Sequence, residues 1–134
     1  MAKEYINPPE LFPSLQYGFS QIVTSAGGKT VYISGQVAWD EKQQIVGPGD
    51  LRAQSWQAFS NLEIALRSVG GVLTDVVSMR IYIVEAKLAE DQHVGAALRE
   101  FFPAEQAPTT TWIGVRALAN PAFLIEIEAV AVVE

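Results

Sequence analysis

Two carboxylates interrupt an apolar row near the end of the chain, and they are the residues with the clearest capacity for chemistry. In the stretch from Phe123 to Val133, period-two spacing puts Ile125, Ile127, Ala129, Ala131 and Val133 on one face. Leu124, Glu126, Glu128, Val130 and Val132 share the other. A strand whose second face meets water accounts for such glutamates. If another chain covers Leu124, Val130 and Val132, then Glu126 or Glu128 is instead a charge at the edge of a buried cleft, where functional carboxylates are found. A second group lies upstream, in Thr109-Thr110-Thr111-Trp112. It offers three hydroxyls and an apolar wall, although β-propensity accounts for the threonines equally well.

The rest of the composition removes whole classes of chemistry. There is no cysteine, which excludes disulfides, thiolate zinc sites and cysteine nucleophiles and makes a cytoplasmic location the simplest expectation. The one histidine, His93, rules out a multi-histidine metal site or a two-histidine ribonuclease mechanism within one chain, and no metal site is read. Nine basic residues are scattered without a run, against fifteen acidic ones and a formal net charge of −6. Nucleic acid is therefore not an expected partner. The apolar segments are too short to span a bilayer, and the start, MAKEYINPPELF, has no apolar core of a signal peptide.

The elements that must position these residues follow from periodicity and punctuation. The 134 residues are read as one domain, able to bury about two thirds of its unfolded surface. Residues 1–15, with Pro8, Pro9 and Pro13, form an extended lead-in. Gln16 to Trp39 reads as an antiparallel meander of about three strands, with a glycine turn at Gly27-Gly28. Asp50 sits at an N-cap position, and Trp56, Phe59, Leu62, Leu66 and Val69 recur at helical spacing before Gly70-Gly71. Arg52, Gln54, Asn61, Glu63 and Arg67 are read as the polar side of that helix. Val76 to Val84 alternates as a strand, with Val77, Met79, Ile81 and Ile83 on one face and Val76, Ser78, Arg80, Tyr82 and Val84 on the other. A second helix is expected from about Leu88 to Phe102, ended by Pro103. Strands at Thr109–Val115 and Phe123–Val133, separated by Asn120-Pro121, complete the order βββ-α-β-α-ββ. This is an α+β sandwich with two helices on one face of a mostly antiparallel sheet. The other face would then carry Val76, Tyr82, Val84, Val130 and Val132, an apolar patch that predicts self-association.

Several runs in this order resemble the Rid family, the YjgF-like reactive intermediate deaminases also labelled endoribonuclease L-PSP. They are Val31-Tyr32-Ile33-Ser34-Gly35-Gln36, Gly49-Asp50 to Gln54, Asn61-Leu62 to Ala65-Leu66, and Leu124-Ile125-Glu126-Ile127-Glu128-Ala129. The resemblance covers residues from about 16 onward. It implies a chorismate-mutase-like fold, a homotrimer with a small-molecule cleft at each subunit interface, and imine hydrolysis without metal or organic cofactor. The family's last-strand glutamate, which positions water, falls on Glu126, and its serine falls on Ser34. Its first-strand tyrosine falls near Phe19, with Tyr17 close by. Its arginine for the substrate carboxylate falls on Thr110. Trp112 stands where a small residue, often cysteine, is usual, and Gly95 stands where the family has asparagine.

The missing arginine shapes the functional expectation. A guanidinium gives a carboxylate two parallel charged hydrogen bonds, whereas a threonine hydroxyl gives one neutral bond. Arg116, six residues on, lies about 20 Å along an extended strand and cannot substitute. Arg80 reaches the same place only if its face is the cleft face. The expected protein is a hydrolase of an imine, enamine or related small metabolite, with Glu126 as base and altered specificity. The alternatives are a non-catalytic trimer that binds a metabolite or serves a regulatory partner and, more weakly, an endoribonuclease.

Overall fold

The computed structural model describes residues 3–134. Its order is β1 (Lys3–Ile6), β2 (Ile22–Ser25), β3 (Lys29–Gln36), α1 (Leu51–Arg67), β4 (Val76–Val84), α2 (Gln92–Phe101), β5 (Thr109–Val115) and β6 (Ile125–Val133). The expected α+β sequence of elements is present. Four strands form one sheet in the order β3-β6-β4-β5, with β6 antiparallel to both neighbours and β5 parallel to β4. The glutamate-bearing strand is thus central.

The start of the chain differs from a meander. β2 pairs with β1 in a separate two-stranded sheet, so the lead-in itself supplies a strand. Residues 37–46 form no named strand; a single antiparallel bridge joins Trp39 to Ile45. Between β1 and β2 a short 3-10 turn, Ser14–Tyr17, ends at Gly18 with φ 96°. A Cβ at Gly18 would lie 2.7 Å from the Leu98 Cβ of α2, so both the backbone angle and the close approach demand glycine.

α1 begins as its sequence dictates, the Asp50 carboxylate accepting from the Ala53 N–H at 3.0 Å. It stops two residues earlier than Val69, and Gly70, at φ 77°, turns the chain away. Phe59, Leu62 and Leu66 of α1 and Val94, Ala97 and Leu98 of α2 meet Met79, Ile81, Ile125 and Ile127 of the sheet in one buried core. α2 starts at Gln92 because Glu85–Glu90 is a tighter 3-10 stretch.

Two residues assigned to the polar side of α1 do structural work inside. Gln54 is fully buried. Its amide donates to the carbonyls of Gly47 (3.1 Å) and Ala122 (3.0 Å), and its oxygen accepts from the Leu124 N–H (2.9 Å). Asn61 donates to the carbonyls of Val37 and Trp39 at 2.8 and 2.9 Å. These bonds satisfy loop backbone that no strand partner reaches.

The sheet's second face is also less bare than alternation implies. A register shift between Val76 and Ser78 turns Val76 into the core, where it is fully buried, while Val77 is only half-buried. Val84 and Val132 are buried as well. Of the five residues expected to form an exposed patch, Tyr82 and Val130 remain half-buried, and the strongly exposed apolar side chain on this face is Tyr32, at 80%.

Candidate functional site

Glu126 sits where two irregularities meet. β3 and β6 pair regularly from Lys29↔Val133 to Ile33↔Ala129, then slip by one residue before Gln36↔Ile127. Ser34 and Gly35 occupy this bulge. The Glu126 side chain lies in the space a Gly35 side chain would fill: an added Cβ would stand 2.8 Å from its Cγ and 2.6 Å from its Cδ. Gly35 is glycine for this reason, since its φ is not left-handed. The bulge at Ser34-Gly35 thus gives the Glu126 side chain its seat.

On the same face, one residue pair along, lies a charged cluster. Arg80 stands opposite Glu128, and Tyr82 stands opposite Glu126. The Tyr82 hydroxyl donates to Glu128 Oε1, and the Arg80 guanidinium lies 3.6 Å from the same oxygen. The hydrogen bond to Glu128 pushes the Tyr82 phenol above its ordinary pKa, aided by burial and the carboxylate's charge and opposed by Arg80. Tyr32, Ser34, Ser78, Arg80 and Glu128 line a depression of about 490 Å³. Arg80 therefore shares Glu126's face, although Glu128 holds it.

The remaining site residues gather elsewhere. In the parallel pairing of β4 with β5, Thr110 lies beside Met79 and Trp112 beside Ile81, both core-facing residues. Thr110 and Trp112 are thus on the helix side of the sheet, and Glu126 is on the opposite side. Ser20 bridges to Thr109, its N–H donating to the Pro108 carbonyl at 2.9 Å, which lays the segment holding Phe19 along the free edge of β5. The Phe19 ring lies 6.3 Å from the Trp112 ring, tilted by 54°. Tyr17, Phe19, Asp91, Thr110 and Trp112 line a cavity of about 290 Å³. Both aromatic candidates for the first-strand position face this cavity.

Gly95 belongs here too. A Cβ on this buried α2 residue would be 3.6 Å from Trp112 Cη2, so the indole takes the room that a larger helix side chain would need. The indole N–H donates to Thr110 Oγ1 at 2.9 Å, which engages the hydroxyl within the wall. Sequence reasoning missed Asp91, because it placed this residue inside a helix beginning near Leu88; Asp91 instead precedes α2, and its carboxylate makes no capping bond. It also missed what Gly35 does, although a glycine after Ser34 inside a strand is a bulge signal.

The seven expected residues thus fall into two half-sites: Ser34 and Glu126 on one face, and Tyr17, Phe19, Gly95, Thr110 and Trp112 at the β5 edge on the other. Among the described residues no cluster of His, Asp and Glu is arranged to hold a metal, and no helix is long and apolar enough to cross a membrane.

Comparison with known proteins follows the same lines. Residues 12–133 match the family described as Endoribonuclease L-PSP. The chain is 31% identical over 131 residues to the 3-aminoacrylate deaminase RutC of Acinetobacter baylyi, spanning 98% of each protein. It is 30% identical over 107 residues to a 2-iminobutanoate/2-iminopropanoate deaminase of Dermatophagoides farinae, spanning 80% of each. The crystal structure of YyfB from Yersinia pestis, a protein of unknown function in the conserved Rid family, is similar with a TM-score of 0.93. The two chains are 40% identical over 99% of this chain and 100% of that one.

Proposed function

The chain belongs to the Rid family of endoribonuclease L-PSP proteins, and from that premise we propose that it hydrolyses a small imine or enamine at a site shared between subunits of a homotrimer. The observation that carries this reading is the Glu126 carboxylate seated over Gly35 in the bulge of β3. In such a reaction water adds to the C=N carbon, and Glu126 takes its proton and returns it to the nitrogen. Ammonia leaves and a carbonyl remains.

The separation of the half-sites supports the shared site. No strand twist brings Thr110 and Trp112 round to Glu126 within one chain, because they project from opposite sides of the sheet. Contact between one copy's open face and another's β5 edge joins them. Two different surfaces meeting in this way make a heterologous interface, the kind that generates a ring when its rotation closes. The trimer is the ring size that the family resemblance implies.

Specificity follows from Thr110. The named substrates of both deaminase relatives carry a carboxylate, and this chain has no arginine at the corresponding position. Charge-assisted hydrogen bonds are worth about 1.5–3 kcal/mol against about 1 for a neutral one. The loss costs imino acids one to several powers of ten in rate. The absence of a basic residue from the lining around Thr110 favours a second reading, a trimer that binds a metabolite without transforming it.

The test is kcat/KM for hydrolysis of a panel of imines, with and without carboxylates, by wild type and Glu126→Gln. The expected result is a loss of about 10²–10⁴-fold in the variant. Wild-type turnover that survives Glu126→Gln overturns the mechanism, and binding without turnover of any imine supports the second reading.

A further inference from the structure

We infer that the cavity at the β5 edge recognises a protonated amine or iminium group and rejects a carboxylate. The inference deepens the proposed function and rests on it only for the cavity's being the substrate subsite. Three of its five lining residues are aromatic, Tyr17, Phe19 and Trp112, and the fourth is Asp91. The tilted Phe19 and Trp112 rings form two walls of a wedge. Aromatic faces carry negative charge density and attract cations, most strongly where water is excluded. The Asp91 carboxylate adds a full negative charge, and it forms no ion pair among the described residues.

No cation lines the cavity. Arg99 lies close to Gly95: its Nη1 donates to the Gln16 carbonyl at 2.8 Å and lies 3.4 Å from the Cβ position of Gly95. It stands outside the lining, so it weakens the attraction for a cation without creating a carboxylate fork. The fifth residue, Thr110, has its hydroxyl oxygen accepting from the indole. An entering carboxylate thus meets Asp91 and π faces, with no charged donor on the wall.

The chemistry is consistent with the proposed reaction. An imine without a carboxylate is most electrophilic as its iminium, which carries the positive charge this cavity favours. The balanced step is R–CH=NH₂⁺ with water giving R–CHO and NH₄⁺. At about 290 Å³ the cavity is at the small end of ligand sites and suits a compound of roughly ten heavy atoms. The substrate class is therefore an N-unsubstituted imine, of the kind formed when a simple aliphatic or benzylic primary amine is oxidised, and not a 2-imino acid.

Three isosteres that differ in charge test this by calorimetric titration of the whole protein: benzylammonium, benzyl alcohol and benzoate. Benzylammonium is expected to bind about 10-fold more tightly than benzoate, with the alcohol between. Asp91→Asn keeps the shape and is expected to narrow the ratio to about 3-fold or less. Benzoate binding as tightly as benzylammonium, or an unchanged ratio in Asp91→Asn, overturns the inference. These arms involve no reaction, so a protein that turns over no imine still reports the charge preference. Conversely, Glu126-dependent hydrolysis combined with a benzoate preference would leave the hydrolase standing and remove this assignment.

Discussion

A side chain can be positioned by the absence of another, and Gly35 does this for Glu126. A methyl group at position 35 would overlap the outer atoms of the glutamate, which can swing away more cheaply than backbone can move. Gly35→Ala is therefore expected to leave the melting temperature within a few degrees of wild type while lowering kcat/KM by about 10-fold or more, as the base leaves its position. A fall in stability with unchanged turnover would mean that Glu126 does not work from this seat. Thr110 is the second residue-scale test. Thr110→Arg is expected to raise kcat/KM on 2-imino acids by about 10-fold or more, because one charged fork restores carboxylate binding. Asp91, which lines the same cavity, will pair with the new guanidinium. Thr110→Arg with Asp91→Asn is thus expected to exceed the single variant, measured on the same substrates.

At the scale of elements, the glutamate-bearing strand depends on a helix residue that composition alone assigns to solvent. Gln54 connects α1 to the Gly47 loop, to Ala122 and to Leu124, the residue before β6. Gln54→Leu leaves the Ala122 carbonyl and the Leu124 N–H without partners, while the Gly47 carbonyl keeps the Asp50 N–H. The expected cost is about 2–4 kcal/mol in chemical denaturation. Asp50→Ala removes only an exposed cap and is expected to cost about 1 kcal/mol. If the two variants prove equally stable, the buried amide does not organise the start of β6. Helix start, helix period and strand limits were legible here because each depends on neighbours within a few residues: Asp50 and Ala53, or the alternation of β4. Gln54's role was not, since two of its three partners are 68 and 70 residues away.

At the scale of the whole molecule, the prediction concerns how the half-sites combine. Glu126→Gln and Trp112→Ala each damage one half. If every site takes its base from one subunit and its aromatic wall from the next, random mixing of the two variants at equal amounts regenerates intact sites. About a quarter of all sites, or one in three within mixed trimers, would then carry both wild-type residues. Co-refolding the two folded, separately impaired variants is expected to recover activity near that fraction, with sedimentation confirming the assembly. No recovery from mixed rings would mean that the site is complete within one chain. The apolar patch first expected to drive assembly is too small a reason by itself, because Val76, Val84 and Val132 are buried within the subunit.

The sequence by itself determined the order of elements, the family, and Glu126 as the carboxylate to examine, because local spacing and residue type carry all three. Only the tertiary structure decided which side of the sheet each residue occupies. The bulge at Ser34-Gly35 made the seat for Glu126, the parallel pairing of β4 with β5 sent Thr110 and Trp112 to the helix side, and the turn at Gly18 brought Tyr17 and Phe19 to the same edge as Asp91. Each depends on registers between segments far apart in the chain. A slip of one residue there reverses the face of every side chain beyond it, and period-two patterning is blind to that reversal.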